Sequence, residues 1–454
     1  MLRKGSKNAS VGMLILTPVL LAGSPNSEAM SPPRPPVRIA IRVNKRTIRQ
    51  GGNVVVSALA VDAGSNRPVA GDYLVAEVNG RRWGAKYRTL SSGVAHLLLP
   101  LPEPGKNSIT VTDGVSTSRS VDVQVLPRHF RIITDPDHLI IMEYETWFGP
   151  GYAQWGKQEA TPILGRYSSL DPRVLLQQNL WFDEMGVNAV ELDWTNNLTS
   201  RFPNARAQEC IHATNTLLKV YGHMAQHPKF VFLVGPEHNL WLNRRNHYRG
   251  PWYKAEVNYL YQHYVSNRKY ANWYVKYEGK PLLLLYLNGP RSTRPPDIKS
   301  RRFTIRFVTA WLQATHAERY GAWSWYDQVA TPTYHDGKVE ALTITDGYPA
   351  VRAPAKGVNS WLSVDAGGKN YGETYRTQWQ AAMRYKPHFL FIDQWNEFEP
   401  PDQYDVNLSN DMEPTVMTEG SRRPSGWGFF YLDMTRRMIA KYHRAIAAER
   451  HRVF

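Results

Sequence analysis

The sequence predicts an α/β chain: a (β/α)8 TIM-type barrel preceded by a small all-β, immunoglobulin-like sandwich. Three observations predict it. Residues 37–127 hold short runs rich in Val, Ile and Thr that often alternate in polarity and are punctuated by Asn, Gly and Asp. From about residue 137 nearly continuous apolar runs alternate with helical patterns, as parallel strands buried on both faces require. Seven or eight such units fit the roughly 310 residues available to a barrel, and no glycine-rich phosphate loop follows the first strand to favour a doubly wound sheet.

The N-terminus reads as a targeting segment. Arg3, Lys4 and Lys7 precede the apolar stretch 11–23, which is too short to span a bilayer, and small residues at 27–29 place cleavage after Ala29. Residues 1–29 are therefore expected to be a signal peptide, and the chain to be secreted, periplasmic or extracellular. No later stretch is apolar and long enough for an integral membrane segment. Removing residues 1–29 lowers the net charge from +16 to +14. Cys210 is the single cysteine, so an exported chain has no internal disulfide and stability rests on packing.

The Pro-rich stretch 31–37 is a stiff linker. The β-type runs follow at 37–43, 53–63, 73–80, 93–101, 107–114 and 118–126; none carries a catalytic cluster, which suits a spacer or binding module. The second domain, 137–450, opens with the strand "HLIIMEYETW" (138–147). Asp171 as N-cap, Pro172 at the first helical position and Gly186 beyond the end delimit a helix. Strands are expected at 188–194, 229–236, 280–289, 303–311, 321–326, 341–349 and 388–398, and helices near 205–226, 252–277, 372–385 and 427–448.

In such a barrel the chemistry lies at the C-terminal ends of the strands. Those ends carry Tyr144, Glu145 and Trp147; Glu191, Asp193 and Trp194; Glu237 and His238; Tyr286; Asp346 and Tyr348; and Trp395, Asn396, Glu397 and Glu399. Carboxylates among Trp, Tyr and Asn are the composition of a sugar site, and glycoside cleavage needs two carboxyl groups. Glu397 and Glu399, two apart on one strand, would face one side with Cα atoms roughly 6.6 Å apart. Trp395 and Phe398 would desolvate one of them and raise its pKa, as an acid catalyst requires. Glu397, Glu399 and Asp193 are the catalytic candidates; Tyr144, Glu145, Trp147, Glu191, Trp194, Glu237, His238, Tyr286, Asp346, Tyr348, Trp395 and Asn396 are the substrate-binding ones. A carboxylate at a strand end also commonly caps the next helix or pairs with Arg. Glu237–His238 has no helical His pair or Cys cluster beside it, so no metal or other cofactor is expected.

The stretches "MEYETWFGPG", "LGRYSSLDPRVLLQQNLWFDEMGVNAVELDW" (164–194), "YGETYRTQWQAAM" (371–383) and "DQWNEFE" together resemble the endo-α-mannosidase-like glycoside hydrolases of family 99, with the related family 71 α-1,3-glucanases nearby. The resemblance covers roughly 137–450 and implies a retaining enzyme acting on α-linked glycans. In the mannosidase members the Glu of a Trp-Asn-Glu-Trp motif activates the sugar's own 2-hydroxyl, which maps to Glu397. The acid/base Glu three residues on has no counterpart, because Pro400 stands there; Glu399, Asp193, Asp402 and Asp405 are the alternatives.

Two other readings compete with a secreted glycosidase. One is a non-catalytic carbohydrate or cell-wall binding protein on the same scaffold. The other is a basic surface protein for nucleic acid or an anionic polymer. The Lys and Arg residues are spread along the chain, and no helix-turn-helix, RRM or zinc-finger pattern is present, so nucleic acid is not an expected partner. The charge does admit an acidic glycan.

Overall fold

The computed structural model describes residues 36–130, 132–149, 155, 160–198, 202–236, 251–287, 295–309, 312, 316–325, 329–347, 368–398, 406, 409, 411–417 and 425–450, with the side chains of 196–198, 236, 251 and 252 excepted. The expected signal peptide, 1–29, lies outside them. No helix among the described residues is long and apolar enough to cross a membrane.

The first unit is entirely β. Its strands are β1 (Val37–Val43), β2 (Thr47–Arg49), β3 (Asn53–Asp62), β4 (Tyr73–Val78), β5 (Arg81–Arg88), β6 (Val94–Pro100), β7 (Gly105–Thr112) and β8 (Val121–Leu126). They form two sheets, ordered β1-β3-β6 and β2-β8-β7-β4-β5. Pairing is antiparallel except between β2 and β8. Alternation places Val54, Val56, Ala58 and Ala60 of β3 inside. The runs expected from sequence correspond to six of these strands. Strand β2 is only three residues long, and the basic "RRWGAKYR" of β5 hides its period behind exposed arginines.

The second unit contains β9 (Leu139–Tyr144), β10 (Ala189–Leu198), β11 (Lys229–Pro236), β12 (Lys276–Tyr277), β13 (Lys280–Tyr286), β14 (Thr304–Thr309), β15 (Trp323–Ser324), β16 (Thr333–His335), β17 (Lys338–Thr345) and β18 (Phe389–Asp393). The sheet order is β15-β14-β13-β11-β10-β9-β18-β17-β16, with β12 on β13. Strands β9, β10, β11, β13, β14, β15, β17 and β18 are mutually parallel, so the eight parallel strands of a barrel are present in chain order. The sheet is nearly closed. At the seam the Thr343 hydroxyl donates to the Ser324 carbonyl at 2.7 Å and the Thr333 hydroxyl to that of Ala322 at 2.7 Å.

The helices with described bounds are α1 (Pro172–Met185), α2 (Ala205–Tyr221), α3 (Pro251–Leu260), α4 (Glu373–Tyr385) and α5 (Phe430–Arg450). Helix α1 has the caps expected from sequence. Asp171 accepts from the Arg173 amide, and Gly186 takes a left-handed φ of 90° while its amide closes on Phe182 and Asp183 carbonyls. The regular alternation fails elsewhere. The helix expected over 252–277 ends at Leu260 and passes through a π-turn, Tyr261–Val265, because the Ser266 amide and hydroxyl both donate to the Tyr261 carbonyl at 2.8 Å. Among the described residues β13 is followed by irregular chain, β14 by a 3₁₀ turn (Ala317–Tyr320) and β15 by the β16–β17 hairpin rather than by helices. Asp336-Gly337, both at positive φ, make that hairpin's turn, a signal the barrel pattern obscured.

The two units share a tight junction. The Ala85 amide of β5 donates to the Ile163 carbonyl at 3.0 Å, and the Ile163 amide donates to the Pro414 carbonyl at 2.8 Å. Gln177 of α1 donates to the Gly51 carbonyl at 3.3 Å, and the Arg173 guanidinium lies 4.9 Å over the Trp83 ring. Gly165, at φ +78°, admits the Gly84 carbonyl where a Cβ would stand 2.6 Å from it.

Asp183 of α1 is 5% exposed, one of its oxygens has no hydrogen-bond partner, and burial pushes its pKa from the ordinary 3.8 up to about 8. Between about pH 4 and pH 8 the unfolded chain has lost a proton that the folded chain keeps, so this group's contribution to stability falls as pH rises. Asp183→Asn is expected to melt above wild type at pH 8, by at least about 1 kcal/mol, and to lose that advantage by pH 4. Parallel melting curves for the two proteins across that window, from calorimetry, would refute the assignment.

Candidate active site

The C-terminal ends of β9, β10, β17 and β18 bring acidic side chains from distant sequence into one place. Glu143, Glu145, Glu191, Asp193, Asp346, Asp393, Asp411 and Glu413 are all buried, at 0–5% exposure. Inward alternation on β10 turns Glu191 and Asp193 to the barrel axis, and Glu191 sits in register beside Glu143 of β9. Glu143, Glu191 and Asp393 line a void too small for a water molecule, together with Trp325, Phe391, Val308 and Ser324. The Trp325 indole donates to Glu143.

Burial pushes the carboxyls of Glu143, Glu145 and Glu191 well above the usual range, and their neighbours add to it. Asp393 is the leading acidic neighbour of Glu143, Asp193 that of Glu191, and Asp193 followed by Glu397 that of Glu145. Glu413, whose oxygens accept from the Tyr167 hydroxyl at 2.6 Å and Gln178 at 3.1 Å, is raised to about 8 by burial.

Glu397 differs from the rest in being only partly buried. Strand β18 stops at Asp393, the next peptide bond is cis, and Glu397 lies in the irregular segment beyond. The expectation that Glu397 and Glu399 face one side of a strand is therefore corrected: the ladder ends four residues earlier, and Glu399 lies outside the described residues. The Gln394 amide donates to Glu397 Oε2 at 2.5 Å. The backbone turns at Phe398, at φ 43°, where Asp411 receives its amide on both carboxyl oxygens at 3.2 Å. The Glu397 amide also donates to Asp411. Asp411 is set by the Ser409 hydroxyl at 2.8 Å, and Lys369 Nζ reaches its carbonyl at 2.8 Å while pairing with Asp346. Burial outweighs that pairing and leaves the Asp346 carboxyl raised.

Asn396 ties the end of β18 to the end of the neighbouring β9. Its Oδ1 accepts from the Glu145 amide at 3.0 Å, and its Nδ2 donates to the Glu145 carbonyl at 3.0 Å and the Tyr167 hydroxyl at 2.9 Å. Asn396 thus sets the backbone of Glu145. Asp193 accepts from the Thr195 amide and hydroxyl.

Glu145, Glu191, Asp193, Asp346, Asn396 and Glu397 are therefore brought together. Tyr286 lies beside them against Trp325, with ring centroids 5.0 Å apart. Three aromatics turn into the helix layer instead. Tyr144 donates to Gln178 and packs on Phe182, Trp194 donates to Thr214 and packs on Phe232, and Trp395 packs on Trp181 and Phe182. Trp395 therefore does not wall Glu397, because it occupies the core behind the strand. Trp147 is buried at 2% exposure. Glu237, His238 and Tyr348 lie outside the described residues. Lys369, Asp411 and Glu413 were missed, since each comes from a segment between elements with no period or motif to mark it.

Two groups have metal-compatible spacing. Glu143, Glu145 and Asp193 each offer an oxygen within 4.8 Å of the others, and all three are buried. Glu278, His335 and Glu340 form a second group, but Arg306 already pairs with both glutamates there, at 3.0 and 2.7 Å.

No protein-family model and no curated protein matches the chain. Among solved structures it is similar to a GH99 endo-alpha-mannosidase from Bacteroides thetaiotaomicron in complex with Bis-Tris-propane, at 15% identity and TM-score 0.47, over 69% of this chain and 100% of that one. It is similar to a glycoside hydrolase-like protein at 11% identity and TM-score 0.43, over 68% and 96% of the two chains. A family 39 glycoside hydrolase from Bacteroides cellulosilyticus WH2 aligns at 9% identity and TM-score 0.33, over 88% and 82%. Likeness at this level assigns neither family nor activity.

Lys369 gives the most direct stability test of the acidic region. Lys369→Met leaves Asp346 buried without its ammonium, and a loss on the order of 3 kcal/mol is expected in chemical denaturation. A wild-type midpoint in this variant would mean that Asp346 is already neutral and needs no partner.

Proposed function

We propose that the chain is an exported glycoside hydrolase that cleaves an α-linked glycan with retention, and that Glu397 is the carboxyl that meets the substrate. The observation that carries this reading is the placing of Glu397. It is the partly buried carboxyl of a group whose other members are sealed, at the end of a parallel barrel where substrates bind. Gln394 and Asp411 hold its side chain and backbone, so little reorganisation is needed when charge develops. Glu399 is the proposed second carboxyl. Whatever the local conformation, residues two apart have Cα atoms within about 7 Å of each other. That closeness lets the two carboxyls reach the short distance of a retaining reaction, in which one group attacks or activates and the other carries the proton.

Among the described residues the one buried basic side chain, Lys369, is already engaged by Asp346, so the sugar at the point of cleavage is proposed to be neutral although the whole chain is basic. The leading β unit serves in this reading as an immunoglobulin-like spacer, and the signal peptide directs export.

Residues 30–454 and Glu397→Gln, screened on α-linked glycans by mass spectrometry and anomeric NMR, test the reading. Wild type is expected to release a product of retained anomeric configuration, and the variant to lose about 10²–10⁴-fold in rate. Full activity in the variant would remove Glu397 from the mechanism. Glycan binding without turnover in both proteins would instead make this a recognition site.

A further inference from the structure

We propose that Glu143, Glu145 and Asp193 form a binding site for a divalent cation, Ca²⁺, on the inner side of Glu397. Carboxyl oxygens of the three residues lie within 4.8 Å of one another, and the residues are 2%, 1% and 1% exposed. Oxygens that share one Ca²⁺, at bonds of about 2.4 Å, lie no more than about 4.8 Å apart, a limit that the three carboxylates meet.

Glu145 supplies the observation that points to a ligand. Both of its carboxyl oxygens are buried without a hydrogen-bond partner, although its backbone is fixed at 3.0 Å by Asn396 on both the amide and the carbonyl. A buried side chain so firmly aimed yet unsatisfied is costly unless something binds it. Its neighbours resemble oriented ligands: the Trp325 indole holds Glu143, and the Thr195 amide and hydroxyl hold Asp193. Among the described residues neither Glu143 nor Glu145 forms an ion pair, and the buried Lys369 is engaged by Asp346 and the Asp411 carbonyl. A divalent cation would favour the ionised form of the three carboxyls and offset most of the charge they would then carry.

The donor set selects the ion. It is all oxygen and all carboxylate, which suits a hard cation rather than zinc. Mg²⁺ keeps several waters, whereas carboxylates can wrap Ca²⁺ in bidentate fashion in a site this enclosed. His and Cys spacing does not mark such a site, because its three carboxylates come from two neighbouring strand ends.

The proposal goes beyond the glycosidase reading and is tested without any glycan. Full-length protein stripped with EDTA is titrated with CaCl₂ and MgCl₂, by calorimetry and by melting temperature. One Ca²⁺ per chain is expected, bound more tightly than Mg²⁺, with a raised Tm. Glu145→Gln and Asp193→Asn should each weaken Ca²⁺ at least about tenfold. Glu145→Gln should melt no lower than wild type in EDTA, since it removes a repulsion; this shows that the variant folds. Glu397→Gln should bind Ca²⁺ as wild type does, which separates this site from the proposed catalysis. Absence of a Ca²⁺ response in wild type, tighter binding of Mg²⁺, or Ca²⁺ affinity unchanged in both ligand variants would overturn the proposal.

Discussion

Eight carboxyl side chains are buried at one end of the barrel, and among the described residues Lys369 is the one basic side chain buried at all. This imbalance is the constraint on which the site depends. Charges removed from water must be paired, protonated or bound to an ion. The structure uses the first two in different places. Asp346 takes Lys369, although burial leaves its carboxyl raised too, and Glu143, Glu191 and Glu145 are crowded together with carboxyls held above their ordinary range. The positive surface of the chain says nothing about this interior, because screening and distance separate the two.

The segment after β18 is rigid for a related reason. Trp395 is buried behind it, and its amide and carbonyl are tied to the Glu143 carbonyl at 3.0 Å and the Glu413 amide at 2.9 Å. Asn396 then grips the Glu145 backbone, and Asp411 accepts the amides of Glu397 and Phe398. The "QWNEF" stretch therefore alternates between residues that anchor and a residue, Glu397, that is presented. The left-handed Phe398 costs on the order of 1 kcal/mol, and the two-oxygen acceptance by Asp411 offsets it.

Much of the scaffold was legible in the sequence because it rests on local physics. Asp171, Pro172 and Gly186 bound α1 through capping rules that need no tertiary knowledge. The apolar runs of β11 and β13 read as buried parallel strands. What was not legible depended on long-range partners. A Trp beside a strand's end reads as a stacking platform, but Trp194 follows the alternation of β10 outward into the helices, and Trp395 lies beyond the end of β18, where alternation no longer decides which way a side chain turns. Lys369, Asp411 and Glu413 come from stretches with no periodic signal. The helix expected to run to 277 stops because Ser266 and Asn267 offer hydrogen bonds that compete with the helix, an effect too local for the hydrophobic period to reveal.

Ile163 belongs to neither sheet, yet its one peptide environment serves both halves of the molecule: its carbonyl is held by Ala85 of β5 and its amide holds Pro414, next to Glu413. The β unit is thus mechanically in series with the acidic segment rather than hung from the barrel by a tether. An exchange of one β module for another would have to reproduce a strand edge offering an amide at Ala85, with a glycine-sized gap at Gly84 and Gly165 beside it. The leading unit in this architecture is a buttress whose shape is matched to the barrel end it supports.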